Sequence, residues 1–292
     1  MKKILFIMFA VMASSMASAQ EQEEVVIENY LNIELANGTI LKYNTKKIKE
    51  LTWSTYSSKD NVVYTVNDVK FSMVQVKGGT FSMGANVSID NTVSYPIHDV
   101  TLDDYFIGET EVTQALWMAV MGSNPSSNKK GGNYPVENVS WDACQEFISK
   151  LNEALGLTNA ESRFRLPTEA EWEFAARGGY NSNYSYSGSN TLGDVAWYKG
   201  NSSSTTHEVK GKLSNELGLY DMSGNVCEWC SDWYGAYSSS AQTNPTGPST
   251  GSYRVFRGGG IEGASGYCHV AQRNYRGQSA SATHHGLRLV FK

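Results

Sequence analysis

The side chains with the most chemical potential in this chain are sulfur and nitrogen donors gathered toward its C-terminal end. There are four cysteines, Cys144, Cys227, Cys230 and Cys268. Thiolates are soft ligands that suit copper(I) and zinc, and oxidised thiols make disulfides. Four cysteines allow three pairings. Cys227 and Cys230 form a C-x-x-C pair, but no thioredoxin-like βαβ pattern surrounds it, so the spacing alone is a weak redox signal. Cys144 falls on the apolar face of a helical pattern and reads as a buried thiol. Cys227 is open to three uses: a core thiol, a disulfide partner, or a metal ligand together with Cys268. His269, Arg273, Tyr275, Arg276, His284 and His285 crowd the same stretch. Adjacent side chains of an extended chain point opposite ways, so His284 and His285 read as loop-surface residues rather than as ligands of one ion. The guanidinium groups of Arg273 and Arg276 offer paired donors to a carboxylate.

These residues must be positioned by a domain poor in long regular elements. The chain has 27 Gly, 17 Tyr and 7 Trp, which points to tight turns held by aromatic packing. A helix is predicted over 114–121 with Thr113 as its N-cap, and a second over 141–155, ended by Gly156. Thr168-Glu169-Ala170-Glu171 is a capping box that starts a third helix, which carries Trp172 and stops before Gly178-Gly179. Alternating runs predict strands over 71–77, 81–84 and 100–107. From 180 onward turns and short β runs dominate. No internal repeat, P-loop, dinucleotide fingerprint or HExxH motif is present.

Residues 1–19 read as an export signal: Lys2 and Lys3, an apolar run of about ten residues that is too short to span a bilayer, and Ala17-Ser18-Ala19. Its removal would take the net charge from −5 to −7. The mature chain is expected in the periplasm or outside the cell, soluble, without a membrane span and without nucleic acid as a partner. Residues 20–66 are read as a small β-hairpin unit with a linker. Its two alternating runs flank Asn37-Gly38, a two-residue turn signal, and the unit is expected to dock on the main domain or a partner. The main domain is taken as 67–292.

Over 70–292 a series of motifs follows one order: Gly78-Gly79-Thr80-Phe81-Ser82-Met83-Gly84, Glu111-Val112-Thr113, Pro135-Val136-Glu137-Asn138-Val139-Ser140-Trp141, Arg165-Leu166-Pro167-Thr168-Glu169-Ala170-Glu171-Trp172-Glu173, Gly218 to Trp229, Arg257-Gly258-Gly259-Gly260, and Gly286-Leu287-Arg288-Leu289. Together they resemble the formylglycine-generating enzyme family, also called the sulfatase-modifying factor family. The resemblance implies a single compact α+β domain related to C-type lectins. It implies that Arg165 and Arg288 are satisfied, buried or half-buried arginines. It also implies a calcium site at Asp221, Gly224, Val226 and Glu228, where a hard cation would find carboxylates and turn carbonyls. A second calcium site would involve Asp194 and Val195.

Active members hold copper between two cysteines and oxidise a client sulfatase cysteine to formylglycine. The second of those cysteines matches Cys268, and the first falls on Gly263. Gly260 and Cys227 also replace the family's usual serine and tryptophan. Divergent relatives with cysteines placed like these imply a Cys230–Cys268 disulfide, which would close a loop of about 38 residues and add roughly 3–4 kcal/mol. Tyr267, His269, Arg273 and Arg276 match the substrate cleft. The expected function is a non-catalytic or divergent family member that binds a peptide, glycan or envelope partner. One alternative is a copper-dependent oxidase using Cys268 with a recruited Cys227. The other is a scaffold in a secretion or surface-assembly apparatus.

Overall fold

The computed structural model describes residues 30–34, 40–44, 61–86, 88–89, 92–159, 162–179 and 182–292. The expected export signal and most of the expected linker lie outside these residues. The chain divides into two compact units, Met1–Tyr56 and Ser57–Lys292. In the first, strands Tyr30–Glu34 and Ile40–Asn44 pair antiparallel, with Glu34 opposite Ile40. The Asn37-Gly38 turn lies outside the described residues.

The second unit is built around a five-stranded sheet in the order 164–165, 290–291, 105–108, 69–76, 62–66, all antiparallel. Strand Val62–Val66 belongs to this sheet, so the unit starts earlier than residue 67. Asn67 and Asp68 both have positive φ, 44° and 65°, and close a two-residue turn that sets Val66 opposite Val69. Such a turn matches the natural twist of a hairpin and is favoured by Asn and Asp.

Alternation along Val69–Val76 divides the core in two. Phe71 and Met73 face one cluster, with Leu116, Trp117, Phe147, Leu151 and Phe164; Val74 and Val76 face the other, with Ile107, Trp172, Leu219 and Val255. The first cluster is covered by helices α1 (Gln114–Met121) and α2 (Trp141–Ala154). Thr113 caps α1 by accepting from the Leu116 N–H, and Ser140 caps α2 by accepting from the Ala143 N–H. Trp117 stacks on Phe147 with ring centres 4.8 Å apart.

Helix α3 (Glu169–Ala176) underlies the second cluster. Its capping box is complete: Glu171 N–H donates to Thr168 Oγ1, and Thr168 N–H donates to Glu171 Oε2 at 2.8 Å. Glu171 also receives two bonds from Arg165, at 2.6 and 2.7 Å. A short helix α4 (Leu192–Val195) precedes a long stretch of turns.

A four-stranded sheet in the order 273–276, 254–257, 227–233, 285–286 carries the C-terminal segment. The last pairing is parallel and sets Cys227 opposite His285 and Glu228 opposite Gly286. A three-stranded sheet (242–243, 98–102, 79–83) and a two-stranded one (88–89, 92–93) complete the described sheets. Among the described residues no helix is long and apolar enough to cross a membrane.

Candidate functional site

Strand Cys227–Trp233 sorts its side chains by parity. Glu228 and Cys230 face the cluster around Trp172. Cys227 and Trp229 face the other way, Trp229 packing edge-on against His285 (5.1 Å) and Phe256 (5.7 Å). This parity decides the cysteine chemistry. All four cysteines are free and buried. The expected Cys230–Cys268 bridge is not formed: Cys230 lies in the Trp172 cluster, and Cys268 lies in a separate small cluster with Leu192 and Ala196. Cys227, three residues earlier and on the opposite face, is the thiol that feels Cys268. Burial, then Cys268, Glu228 and Glu111, push the Cys227 thiol up, and burial pushes Cys268 up to about 12. With no metal bound, burial favours the protonated thiol at both positions.

Behind the strand lies an ionic framework that fixes the C-terminal segment. Arg257 donates to Glu169 Oε1 and Glu173 Oε2, both at 2.7 Å, and to the Val270 carbonyl at 2.8 Å. Arg273 grips both Glu169 oxygens at 2.6 and 2.7 Å and lies 3.8 Å over the Tyr237 ring. Arg177 reaches Glu173 Oε1 at 2.8 Å. Burial would raise the Glu169 and Glu173 carboxyls, but these arginines hold both below the ordinary value.

Arg273 is therefore held in a buried ion pair with Glu169, and with Glu169, Gly235 and Tyr237 it lines a cavity separate from the one beside Cys227. The alternation of Arg273–Arg276 explains it. Arg273 and Tyr275 share the face toward Tyr234, while Asn274 and Arg276 take the other face, toward Cys227. His269 is also turned away: its Nδ1 accepts from the Ala271 N–H at 3.1 Å, and its ring meets Tyr186 edge-on.

A pocket of about 270 Å³ opens on the Cys227 side, lined by Cys227, Phe256, Gly260, Tyr267, Asn274 and His284 among others. Tyr267 lines this pocket, and Arg276 lies close enough for its charge to act on Cys227, His284 and His285. Phe256 and Asn274 are additions that the alternation of their strands could have revealed. The backbone here is close-packed. A Cβ on Gly259 (φ +68°) would come within 2.8 Å of the Tyr267 carbonyl, and one on Gly263 within 3.3 Å of the Gly260 oxygen. His284 is half-buried in a turn, and His285 is buried in a strand rather than at a loop surface. His285 is 1% exposed, and the two rings and the Cys227 sulfur bring ligand atoms within 4.8 Å of one another. Burial lowers the basicity of both imidazoles, His285 most strongly.

The residues matched to calcium lie at a buried acidic centre. Arg288 donates to both Glu228 oxygens (2.7–3.0 Å) and to the carbonyls of Gly108 and Tyr220, and Trp172 Nε1 donates to Glu228 Oε2 at 2.6 Å. Glu111 accepts from the Val226 N–H at 2.9 Å and from Asn225 Nδ2 at 2.8 Å. Asp221, at φ +60°, accepts from the Lys210 N–H at 2.8 Å. Burial and then the charges of Asp221 and Glu228 push Glu111 well up; burial raises Asp221 to about 6. Three buried carboxylates lie within electrostatic reach of one buried arginine, a set short of positive charge.

Residues 60–292 match the family model of the sulfatase-modifying factor enzyme 1-like domain. The chain is 32% identical over 272 residues to a protein named chaperone protein LppX from Paenibacillus barcinonensis, across 77% of this chain and 90% of that one. It is 36% identical over 290 residues to the formylglycine-generating enzyme of Streptomyces coelicolor, across 74% of this chain and 88% of the enzyme. Among solved structures, Treponema denticola variable protein 1 superposes with a TM-score of 0.72 at 38% identity, covering 80% of this chain and 99% of that one.

Proposed function

From the premise that the chain belongs to the sulfatase-modifying factor enzyme family, we propose that it is a divergent, non-catalytic member. Its role would be to bind a peptide, glycan or envelope partner at the pocket beside Cys227. The observation that carries this reading is the pocket wall itself. Gly263 stands where active relatives place the first copper cysteine, and it offers no thiol; a Cβ there would meet the Gly260 oxygen at 3.3 Å, a tight contact. The copper pair at 263 and 268 does not fit these residues. What the pocket offers instead is recognition: the Tyr267 and Phe256 rings, the Asn274 amide and the nearby Arg276 charge, in a volume suited to one side chain or one sugar ring. The family resemblance to variable and chaperone-named proteins supports a binding role.

Calcium belongs to the same proposal. Asp221 and Glu228, with the Gly224 and Val226 carbonyls, would hold it. The ion would offset the excess buried charge and stiffen the turn that leads into strand Cys227–Trp233.

The test is a screen of arrayed peptides and glycans against the purified chain. A ligand should emerge whose affinity falls at least about tenfold, or 1.4 kcal/mol, in Tyr267→Ala with thermal stability unchanged. Sustained aldehyde formation on a cysteine peptide by copper-loaded protein would refute the reading. One observation favours that oxidase as a second reading: Cys227 and Cys268 are both free and within electrostatic reach. In that case Cys268→Ser must abolish turnover.

A further inference from the structure

Two rings at the pocket carry more unsatisfied polar atoms than a binding wall requires. The parallel pairing that sets Cys227 opposite His285, reinforced by the Cys227 N–H donating to the His284 carbonyl at 2.7 Å, locks three donors together across 58 residues of sequence. His285 is 1% exposed, and neither of its ring nitrogens has a hydrogen-bond partner. A buried polar group left unpaired costs about 1–3 kcal/mol, and such groups are rare in folded proteins. His284 Nδ1 is likewise without an aligned partner; it lies 3.3 Å from Glu262 Oε2, and Glu262 is itself held by Thr283 Oγ1 at 3.0 Å.

We infer that Cys227, His284 and His285 form a zinc site, with its fourth position open to the pocket. The donor set selects the ion. One thiolate and two imidazoles are sulfur and nitrogen ligands, which suit a borderline cation and not calcium or magnesium. A tetrahedral zinc with Zn–N near 2.0–2.1 Å and Zn–S near 2.3 Å puts its ligand atoms roughly 3.3–3.6 Å apart. The three donors here are within 4.8 Å, so side-chain rotations of about an ångström would complete the site. Glu262 beside His284 is placed as the carboxylate that commonly orients a ligating imidazole. Phe256 (4.5 Å from the His285 ring) and Trp229 (5.1 Å) wall the site with aromatic surface. The inference uses none of the peptide or glycan chemistry proposed above.

The test titrates Zn²⁺ into reduced, chelator-stripped full-length protein, counting ions by native mass spectrometry and elemental analysis. Co²⁺ serves as the spectroscopic substitute. Wild type should take one Zn²⁺ per chain, and the cobalt form should show thiolate-to-metal charge transfer. His284→Ala should bind at least about tenfold more weakly with its circular dichroism unchanged. Cys227→Ser should lose the charge-transfer band. The inference is overturned if the folded wild type takes up no stoichiometric zinc, or if both variants bind as tightly as it does. It is also overturned if copper(I) alone is retained when both metals are offered. Ligand screens run in chelator separate the two ideas, since their failure leaves the zinc count untouched.

Discussion

Replacing Asp232 by asparagine should stabilise the protein about 2.5 kcal/mol more at pH 8 than at pH 5. Asp232 is buried beside Glu169. Its Oδ2 accepts from the Glu169 N–H at 3.0 Å and from the Ser231 hydroxyl at 3.0 Å. Burial, and then the Glu169 charge, raise its carboxyl from the ordinary 3.8 to about 7. A folded-state value above the unfolded one means that its stabilisation is complete at low pH and is lost as the pH climbs through about 7. Integrating that linkage from pH 5 to pH 8 gives a loss of about 2.5 kcal/mol from this one group. An Asn side chain keeps an acceptor for the two donors and never ionises. The assay is urea unfolding of both proteins at several pH values, taking the difference at each pH so that other titrating groups cancel. The variant-minus-wild-type difference should grow by about 2.5 kcal/mol between pH 5 and pH 8, or about 5–10 °C in Tm for a domain of this size. A difference that stays flat across that range would refute the reasoning.

Three further outcomes follow from the same structure. Arg257→Met strips a cation from two fully buried carboxylates, Glu169 and Glu173, and should cost about 3–5 kcal/mol in urea unfolding, far more than the loss of one surface pair. Calcium added to chelator-treated protein at a hundred times its Kd should stabilise it by about 2.7 kcal/mol, with a matching rise in Tm; no rise would remove calcium from the proposal. A thiol count on unfolded, non-reduced protein should return four free thiols per chain, whereas two would restore a bridge.

Much of the fold was written locally. The Thr113 cap, the Thr168–Glu171 box and the strand read over 71–77 each depend on residues a few positions apart, and the structure has the cap, the box and a strand at Val69–Val76. The family motifs likewise marked Arg165 and Arg288 as satisfied arginines, and the structure pairs them with Glu171 and Glu228.

The site was legible only in part, because its chemistry depends on strand parity and long-range register. Cys227 and Cys230 look alike in a C-x-x-C pair, but three residues along a strand turn them to opposite faces. Arg273 and Arg276 look alike in a basic cluster, but only the Glu169 carboxylate, 104 residues earlier, shows that Arg273 is already occupied. His284 and His285 should diverge as neighbours on an extended chain, and it is the parallel pairing with Cys227 that gathers them. The sequence by itself determined the family, the caps, the turns and which residue types were present to react. Only the tertiary structure decided which of them meet, because short-range propensity sets each element's shape while the ladder between distant strands sets which faces share a pocket.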